Sequence, residues 1–263
     1  MDTQGIAQAA RLLVEARRTG MPLRELPAEC KPSSVEEANA IINAVTSQLD
    51  ESIGGWKIAF VYMPRQKPFI CPLFNSRLFQ SPARVPLPLS PSRLIEPEIS
   101  FRLKHDLPPR VAAYRAAEVA EAVVACPSLE MVDTRFDTNY RPLRQMLDVK
   151  STRIEAFADH ITTGAYIVGD GRDDWQAFDF ASMPMVMRTR SRVIVESVGG
   201  HAFVDPFLPC VVLANEMRHR DGLRAGHVLV TGSFAGFFQV EPDEAVTVDF
   251  VGFGSAEATF ASA

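Results

Sequence analysis

The chain is predicted to adopt an α+β fold with a mostly antiparallel core. Two amphipathic helical patterns open it, most later apolar stretches have strand character, and few helical patterns interrupt them. This order divides the chain into an N-terminal helical portion, residues 1–52, and a β-rich body, residues 53–263, joined in one integrated domain. No internal repeat or low-complexity linker separates them.

The elements follow in order. "IAQAARLLVEARRTG" places Ile6, Ala9, Ala10, Leu13 and Ala16 at helical spacing, and Gly20 ends it. "PSSVEEANAIINAVTSQL" begins with Ser34 and Glu37, the spacing of a capping box, ahead of an apolar stripe from Val35 to Leu49. "GGWKIAFVY" follows a double glycine and reads as a strand, as does "LIEPEISFRL". "RAAEVAEAVVAC" has helical spacing, and "SLEMVD" is a short strand after it. "AYIVG" is a strand and "PMVMRTRSRVIVESVGG" a hairpin. "LPCVVLANEMRHRDG" reads as a helix with proline at its start and Gly222 just past its end. The tail, "HVLVTGSFAGFF" and "EAVTVDFVGFGSAEATFA", returns to strand.

Composition narrows the function. Of 263 residues, 47% are hydrophobic and 22% charged, as in ordinary globular proteins, and the formal net charge is −5. A general nucleic-acid binder would show a basic patch or stripe. The one arginine-rich stretch, "RTRSR" at Arg188 to Arg192, reads as the solvated turn of the hairpin. Cys30, Cys71, Cys126 and Cys210 stand far apart, without the spacing of a zinc site or a redox pair. The N-terminus lacks a basic region followed by an apolar run, and no stretch reaches transmembrane length. A cytoplasmic setting with free, packed thiols is expected.

The chemistry begins with "RLIEPEISFRL". Alternate strand residues share a face, so Glu96 and Glu98 lie together, with Cα atoms about 6–7 Å apart. Ile95, Ile99, Phe101 and Leu103 face the other way, toward a core. Pro97 cannot donate to a ladder, which points to an edge or a bulge. The pair alone reads most simply as a solvated face shared with Ser100 and Arg102. Glu130 changes this, because it stands between Leu129 and Met131 in an apolar strand, where a carboxylate needs a partner or a cation. Three carboxylates without nearby histidine or cysteine make a hard, all-oxygen site that suits Mg²⁺ or Mn²⁺. Such a site keeps positions open for substrate.

"GWKIA", "IEPEISF", "SLEMVDTRF", "FADH", "LANEM" and "LRAGHVLVTGS" occur in that order. Together with "SVEEANAI" near the start, they resemble the 2-keto-4-pentenoate hydratases and 2-oxo-hexenedioate decarboxylases of the fumarylacetoacetate hydrolase superfamily. The resemblance implies a twisted β-roll with an N-terminal helical portion, and a lyase that binds Mg²⁺ or Mn²⁺ through Glu96, Glu98 and Glu130. It places Lys57 in the pocket, although a lysine in that apolar strand could also snorkel to solvent. Desolvation would lower its pKa for proton transfer; alternatively it stays charged and steadies the substrate's anion. Ser233, of the "TGS" pattern, is expected to hold the substrate carboxylate. The family's "ADNAS" appears here as "ADHIT", so Thr162 replaces the serine and joins Asp159 as a substrate-binding candidate. His160 is a candidate for proton work if it faces the pocket, and is exposed if "FADH" begins a helix. Asp133 and Arg135 are expected to pair and brace the Glu130 strand. The resemblance also implies a small 2-oxo acid substrate, a homo-oligomer, association with a related enzyme, and a place in aromatic catabolism.

Two departures bear on the reaction. The family's "P-D-x-G-x-L-F" stretch reads "KPFICPLF" here, with Phe69 at the aspartate and Cys71 at the glycine, and Ala59 stands where glycine is usual after "GWKI". Phenylalanine moves no protons. Hydration of a 2-hydroxydienoate is therefore weighed against decarboxylation of a 2-oxo-enedioate, which uses the same enolate sink. A non-catalytic relative or partner subunit is a third reading. Hydrolysis is disfavoured: superfamily hydrolases use an N-terminal histidine, and the first of five here is His105.

Overall fold

The computed structural model describes residues 1–60 and 67–261. Val61 and Tyr62, at the end of the expected "GGWKIAFVY" strand, lie outside the described residues. The strands are β1 Ile53–Ala59, β2 Phe69–Phe74, β3 Leu78–Gln80, β4 Ala83–Pro86, β5 Leu94–Leu103, β6 Val123–Val132, β7 Thr163–Val168, β8 Pro184–Arg188, β9 Val193–Val198, β10 Val228–Val230, β11 Phe238–Gln239, β12 Ala245–Phe250 and β13 Gly254–Ala261. The helices are α1 Thr3–Thr19, α2 Val35–Leu49, α3 Ala116–Glu121, α4 Leu143–Asp148, α5 Lys150–Ala158 and α6 Leu208–Met217.

Asp2 caps α1 by accepting from the Gly5 amide, and Gly20 closes it in the left-handed region (φ 71°). Ser34 caps α2 through the Glu37 amide, but the return arm differs from a capping box: Glu37 accepts from the Ser33 amide and hydroxyl instead. The two helices pack together and, with α4 and α5, cover an apolar layer that includes Phe69, Cys71 and Val132.

Two sheets form the α+β body. The eight-stranded sheet runs β2-β1-β10-β5-β6-β7-β3, with β11 also on β5, and the five-stranded sheet runs β4-β13-β12-β8-β9. Antiparallel pairing predominates; among the described residues β1–β10, β3–β7 and β4–β13 are parallel. The double glycine has a packing reason, since a Cβ on Gly55 would stand 2.2 Å from the Val228 carbonyl oxygen across the β1–β10 ladder. The core lies between the sheets. Ile95, Ile99, Phe101, Leu103, Leu129, Met131 and Ile167 face Val246, Val248, Phe250 and Phe260. The other face of the large sheet curls inward, and alternation puts Glu98, Ser100, Ser128, Glu130 and Tyr166 on it.

Three expectations change. Helix α3 stops at Glu121, and β6 takes over from Val123 through Pro127, so "RAAEVAEAVVAC" is helix only in its first half. Every residue of β6 is buried. A strand covered on both faces shows no polar alternation, which removed the signal. Helix α6 ends at Met217, whose carbonyl accepts from Gly222 at 3.1 Å. Pro97 marks neither an edge nor a bulge, because β5 pairs with β6 in unbroken register and is flanked by β10 and β11 on its other side. Its missing donor falls in the gap between those two strands, where its carbonyl accepts from Phe234.

His201 sits behind the "TGS" stretch, packed on Phe234 with ring centroids 5.3 Å apart. Its Nε2 lies 3.2 Å from the Thr231 carbonyl oxygen, and its Nδ1 accepts from the Phe203 amide at 3.3 Å. Both contacts suit a neutral ring that donates from Nε2. Burial pushes its pKa down to about 4. Below pH ~6.5 the unfolded chain therefore binds a proton that the native ring refuses, so this group's contribution falls as the pH drops from ~6.5 toward 4. Urea melts across that range should show a shallower pH slope for His201→Gln than for the wild type. Equal slopes would contradict this reading.

Candidate metal centre

Glu96, Glu98 and Glu130 converge on the inner face of the large sheet. Glu96 stands directly opposite Glu130 in the β5–β6 ladder, and Glu98 is one pair along, opposite Ser128. One oxygen from each carboxylate lies within 4.8 Å of the others. Glu98 and Glu130 are fully buried, and Glu96 is partly exposed. The solvated-face reading of Glu98 and Ser100 therefore fails: both are at 0% exposure, because the sheet curls over them.

Each carboxylate has its own surroundings. Lys57, on β1, donates to both oxygens of Glu130 at 2.6 Å and to the Ile161 carbonyl at 3.1 Å. The Thr163 hydroxyl donates to Glu130 Oε1 at 2.8 Å. The Tyr166 hydroxyl donates to Glu98 Oε2 at 2.9 Å, while the buried Oε1 of Glu98 has no hydrogen-bond partner among the described residues. Arg144 donates to the Phe237 carbonyl at 2.6 Å, lies over that ring, and adds a favourable charge near Glu96.

The electrostatics show a shortage of positive charge. Burial raises the Glu98 carboxyl well above the usual range, and Glu130 adds to the effect. Burial and Glu130 also push Glu96 up, to about 7. Burial alone would depress Lys57, but Glu130, then Glu98 and Glu96, outweigh it, so its pKa is raised. Of the two expectations for Lys57, this direction favours the retained charge over the depressed pKa. Among the described residues, the Lys57 ammonium, with Arg144 farther off, faces three carboxylates, and one buried oxygen is unpartnered. An all-oxygen donor set with that deficit fits a divalent Mg²⁺ or Mn²⁺ ion.

The segment after α5 supports Lys57. His160, Ile161 and Thr162 all have positive φ, at 48°, 50° and 56°. Left-handed backbone costs a non-glycine residue ~1–2 kcal/mol, so the surroundings must enforce it. Asp159 accepts from Arg135 Nε at 2.8 Å, from the Arg135 amide at 2.6 Å and from the Thr134 hydroxyl at 3.0 Å. The Cys71 thiol lies 3.4 Å from the His160 carbonyl oxygen. The result aims the Ile161 carbonyl at Lys57.

The other candidates make the following contacts. Asp159 spends both oxygens on Arg135 and Thr134. Arg135 prefers Asp159 to Asp133, which stands 3.5 Å from it. "FADH" ends a helix rather than starting one, and His160 is 2% exposed, packed on Phe74 and 3.4 Å from the Thr46 hydroxyl. Burial, then Arg17, Arg135 and Arg77, hold its pKa well below the ordinary value. The Thr162 hydroxyl turns back to the Ile161 carbonyl at 2.7 Å. Ser233 forms an isolated bridge with Glu98 through the backbone, and its hydroxyl reaches the Gly236 and Pro97 carbonyls at 3.2 and 3.4 Å. Phe69 is fully buried, edge-on to Phe157 at 5.1 Å. The sequence reading missed Thr163 and Tyr166. Tyr166, a hydroxyl inside the apolar run "AYIVG", carried a signal, but only strand register shows which carboxylate it meets.

No protein-family model matches the chain. It is 26% identical over 274 aligned positions to a 2-keto-4-pentenoate hydratase of Paraburkholderia xenovorans (strain LB400), spanning 100% of this chain and 97% of the relative. Its structure matches a 4-oxalocrotonate decarboxylase from Pseudomonas putida G7, complexed with magnesium and adipate, with a TM-score of 0.79 at 19% identity over 99% and 98% of the two chains. The chain is thus similar over its full length to proteins named 2-keto-4-pentenoate hydratase, and it shares the fold of the decarboxylase structure. A superfamily protein from Yersinia pestis CO92 shares the fold more distantly, with a TM-score of 0.54 at 13% identity over 80% of this chain and 92% of that one. In this fold, the glutamates sit in a β-roll closed on one side by the N-terminal helices.

Proposed function

We propose that the protein is a metal-dependent lyase of the 2-keto-4-pentenoate hydratase type, acting on a small 2-hydroxydienoate or 2-oxo-enoate acid. The observation that carries this is the buried Glu96–Glu98–Glu130 cluster with Lys57 as its countercharge, in a chain whose full-length relatives are named as such hydratases. We assign the three glutamates as ligands of Mg²⁺ or Mn²⁺. When bound, the cation supplies Lewis-acid stabilisation of the substrate's enolate form.

The chain's own residues supply the rest. Lys57 presents a charged N–H beside the cluster, held by Glu130 and the Ile161 carbonyl, where it steadies the anion that develops on the substrate or hands over its proton. We assign Ser233, whose backbone bridges to Glu98, to the substrate carboxylate, which its hydroxyl would take in place of the Gly236 carbonyl. Asp159, with Arg135, braces the left-handed turn behind Lys57, and Thr162 belongs to that turn. His160, buried and neutral, packs beneath it. Phe69 packs edge-on against Phe157 in the apolar layer under the N-terminal helices.

Phe69 favours a second reading, decarboxylation of a 2-oxo-enedioate, because it offers no proton where the hydratase pattern carries an aspartate. The relative complexed with adipate is itself a decarboxylase. Incubation with 2-hydroxypenta-2,4-dienoate and with a 2-oxo-enedioate, each with Mn²⁺, separates the two. Loss of dienoate absorbance with formation of a 4-hydroxy-2-oxo acid is expected. Carbon dioxide from the enedioate without hydration would favour the second reading, and turnover of neither would overturn the enzyme reading. No helix among the described residues is long and apolar enough to cross a membrane. The four cysteines are free and buried, which supports a reducing, cytoplasmic setting, and assembly as a homo-oligomer or beside a related enzyme rests on the family.

A further inference from the structure

Behind the glutamates, the inner face carries hydroxyl groups among apolar neighbours. Tyr166, Ser128 and Ser100 are all at 0% exposure. Leu73, Val124, Cys126, Val168, Val228 and Val230 pack in one apolar cluster with Tyr166. Burying three hydroxyls there is costly unless each is bonded. Each has a partner, and the Ser128 hydroxyl also donates to the Cys126 carbonyl at 3.1 Å. The Tyr166 hydroxyl donates to Glu98 Oε2 at 2.9 Å. The Ser128 hydroxyl stands beside the Tyr166 oxygen and 2.6 Å from the Ser100 hydroxyl. Strand register builds this row: Ser128 is opposite Glu98 across β5–β6, and Tyr166 is opposite Glu130 across β6–β7.

For packing alone, phenylalanine and alanine would serve this interior better than tyrosine and serine. The row ends on a carboxylate that has one oxygen bonded and the other, Oε1, without a partner. We infer that Tyr166, backed by Ser128 and Ser100, is a positioning residue for Glu98: it occupies Oε2 and presents Oε1 to the cation. The tyrosine ring is rigid and buried, so its hydroxyl fixes the carboxylate's rotation rather than following it. Ser128 in turn restrains the hydroxyl. Partners of this kind, one bond removed from a metal, typically change affinity by ~10–100-fold when deleted.

This inference rests on the reading of Glu96, Glu98 and Glu130 as a cation site, and the test separates the two. Mn²⁺ binding is measured by calorimetry on the wild type, Tyr166→Phe and Ser128→Ala, after thermal melts in chelator confirm that each variant folds. The wild type is expected to bind, Tyr166→Phe to bind about tenfold more weakly or worse, and Ser128→Ala to lose affinity in the same direction by less. Unchanged affinity in Tyr166→Phe overturns the inference while the cation site stands. If Tyr166→Phe does not fold, Ser128→Ala decides, and wild-type affinity there overturns it. A wild type that binds no Mn²⁺ overturns both readings.

Discussion

Replacing Glu98 with glutamine is expected to weaken Mn²⁺ binding by at least ~100-fold, beyond the loss expected for a residue one bond removed from the metal. The metal-free protein should meanwhile melt no lower than the wild type. Both effects come from one fact: Glu98 is a buried carboxylate with an oxygen unpartnered among the described residues, where burial and Glu130 disfavour its charge. Without metal, burial and Glu130 hold its proton on, so a neutral amide of the same shape costs little and relieves repulsion. With metal, the carboxylate is the reason to bind. Mn²⁺ should therefore raise the melting temperature of the wild type, as any ligand selective for the native state does, and leave that of Glu98→Gln unmoved. Paired melts and titrations check this. A variant that melts well below the wild type in chelator, or still binds tightly, would contradict it.

Replacing Lys57 with methionine should act in the opposite sense on stability. Its ammonium is the cation bonded to Glu130, at 2.6 Å from both oxygens. Removing one partner of a buried ion pair costs ~3–5 kcal/mol, because the other charge is left uncompensated. The metal-free variant should melt markedly lower, and Mn²⁺ should recover part of the loss. The turnover number should fall by ~10²–10⁴-fold, the range for a group that handles a proton or steadies an anion in the transition state. Melts with and without Mn²⁺, followed by steady-state kinetics on the dienoate, separate the two contributions. Wild-type turnover would remove Lys57 from the reaction.

Part of this was legible in the sequence, for physical reasons. Glu130 stood out because a carboxylate between Leu129 and Met131 violates the apolar pattern of its strand. Glu96 and Glu98 shared a face by parity alone. Their meeting with Glu130 was less legible, since it depends on β5–β6 register, which no local rule sets. Tyr166 and Thr163 were missed for the same reason. Strand β6 was half misread because its complete burial erases alternation and leaves Ala, Val and Glu at helical spacing. Asp159 and His160 were placed by motif, but their surroundings are set by three left-handed residues with the wrong side chains for that conformation. Ile161 and Thr162 are β-branched and give no sign of positive φ; only the enclosing contacts of Arg135, Cys71 and Lys57 account for it.

The most direct test is a crystal grown with Mn²⁺ and examined by anomalous scattering at the manganese edge. One strong peak is expected inside the curled sheet, with an oxygen of Glu96, of Glu98 and of Glu130 each at roughly 2.0–2.3 Å, by analogy with other hard-cation oxygen sites. A peak elsewhere, or none at saturating Mn²⁺, would contradict the assignment of these glutamates as the metal centre.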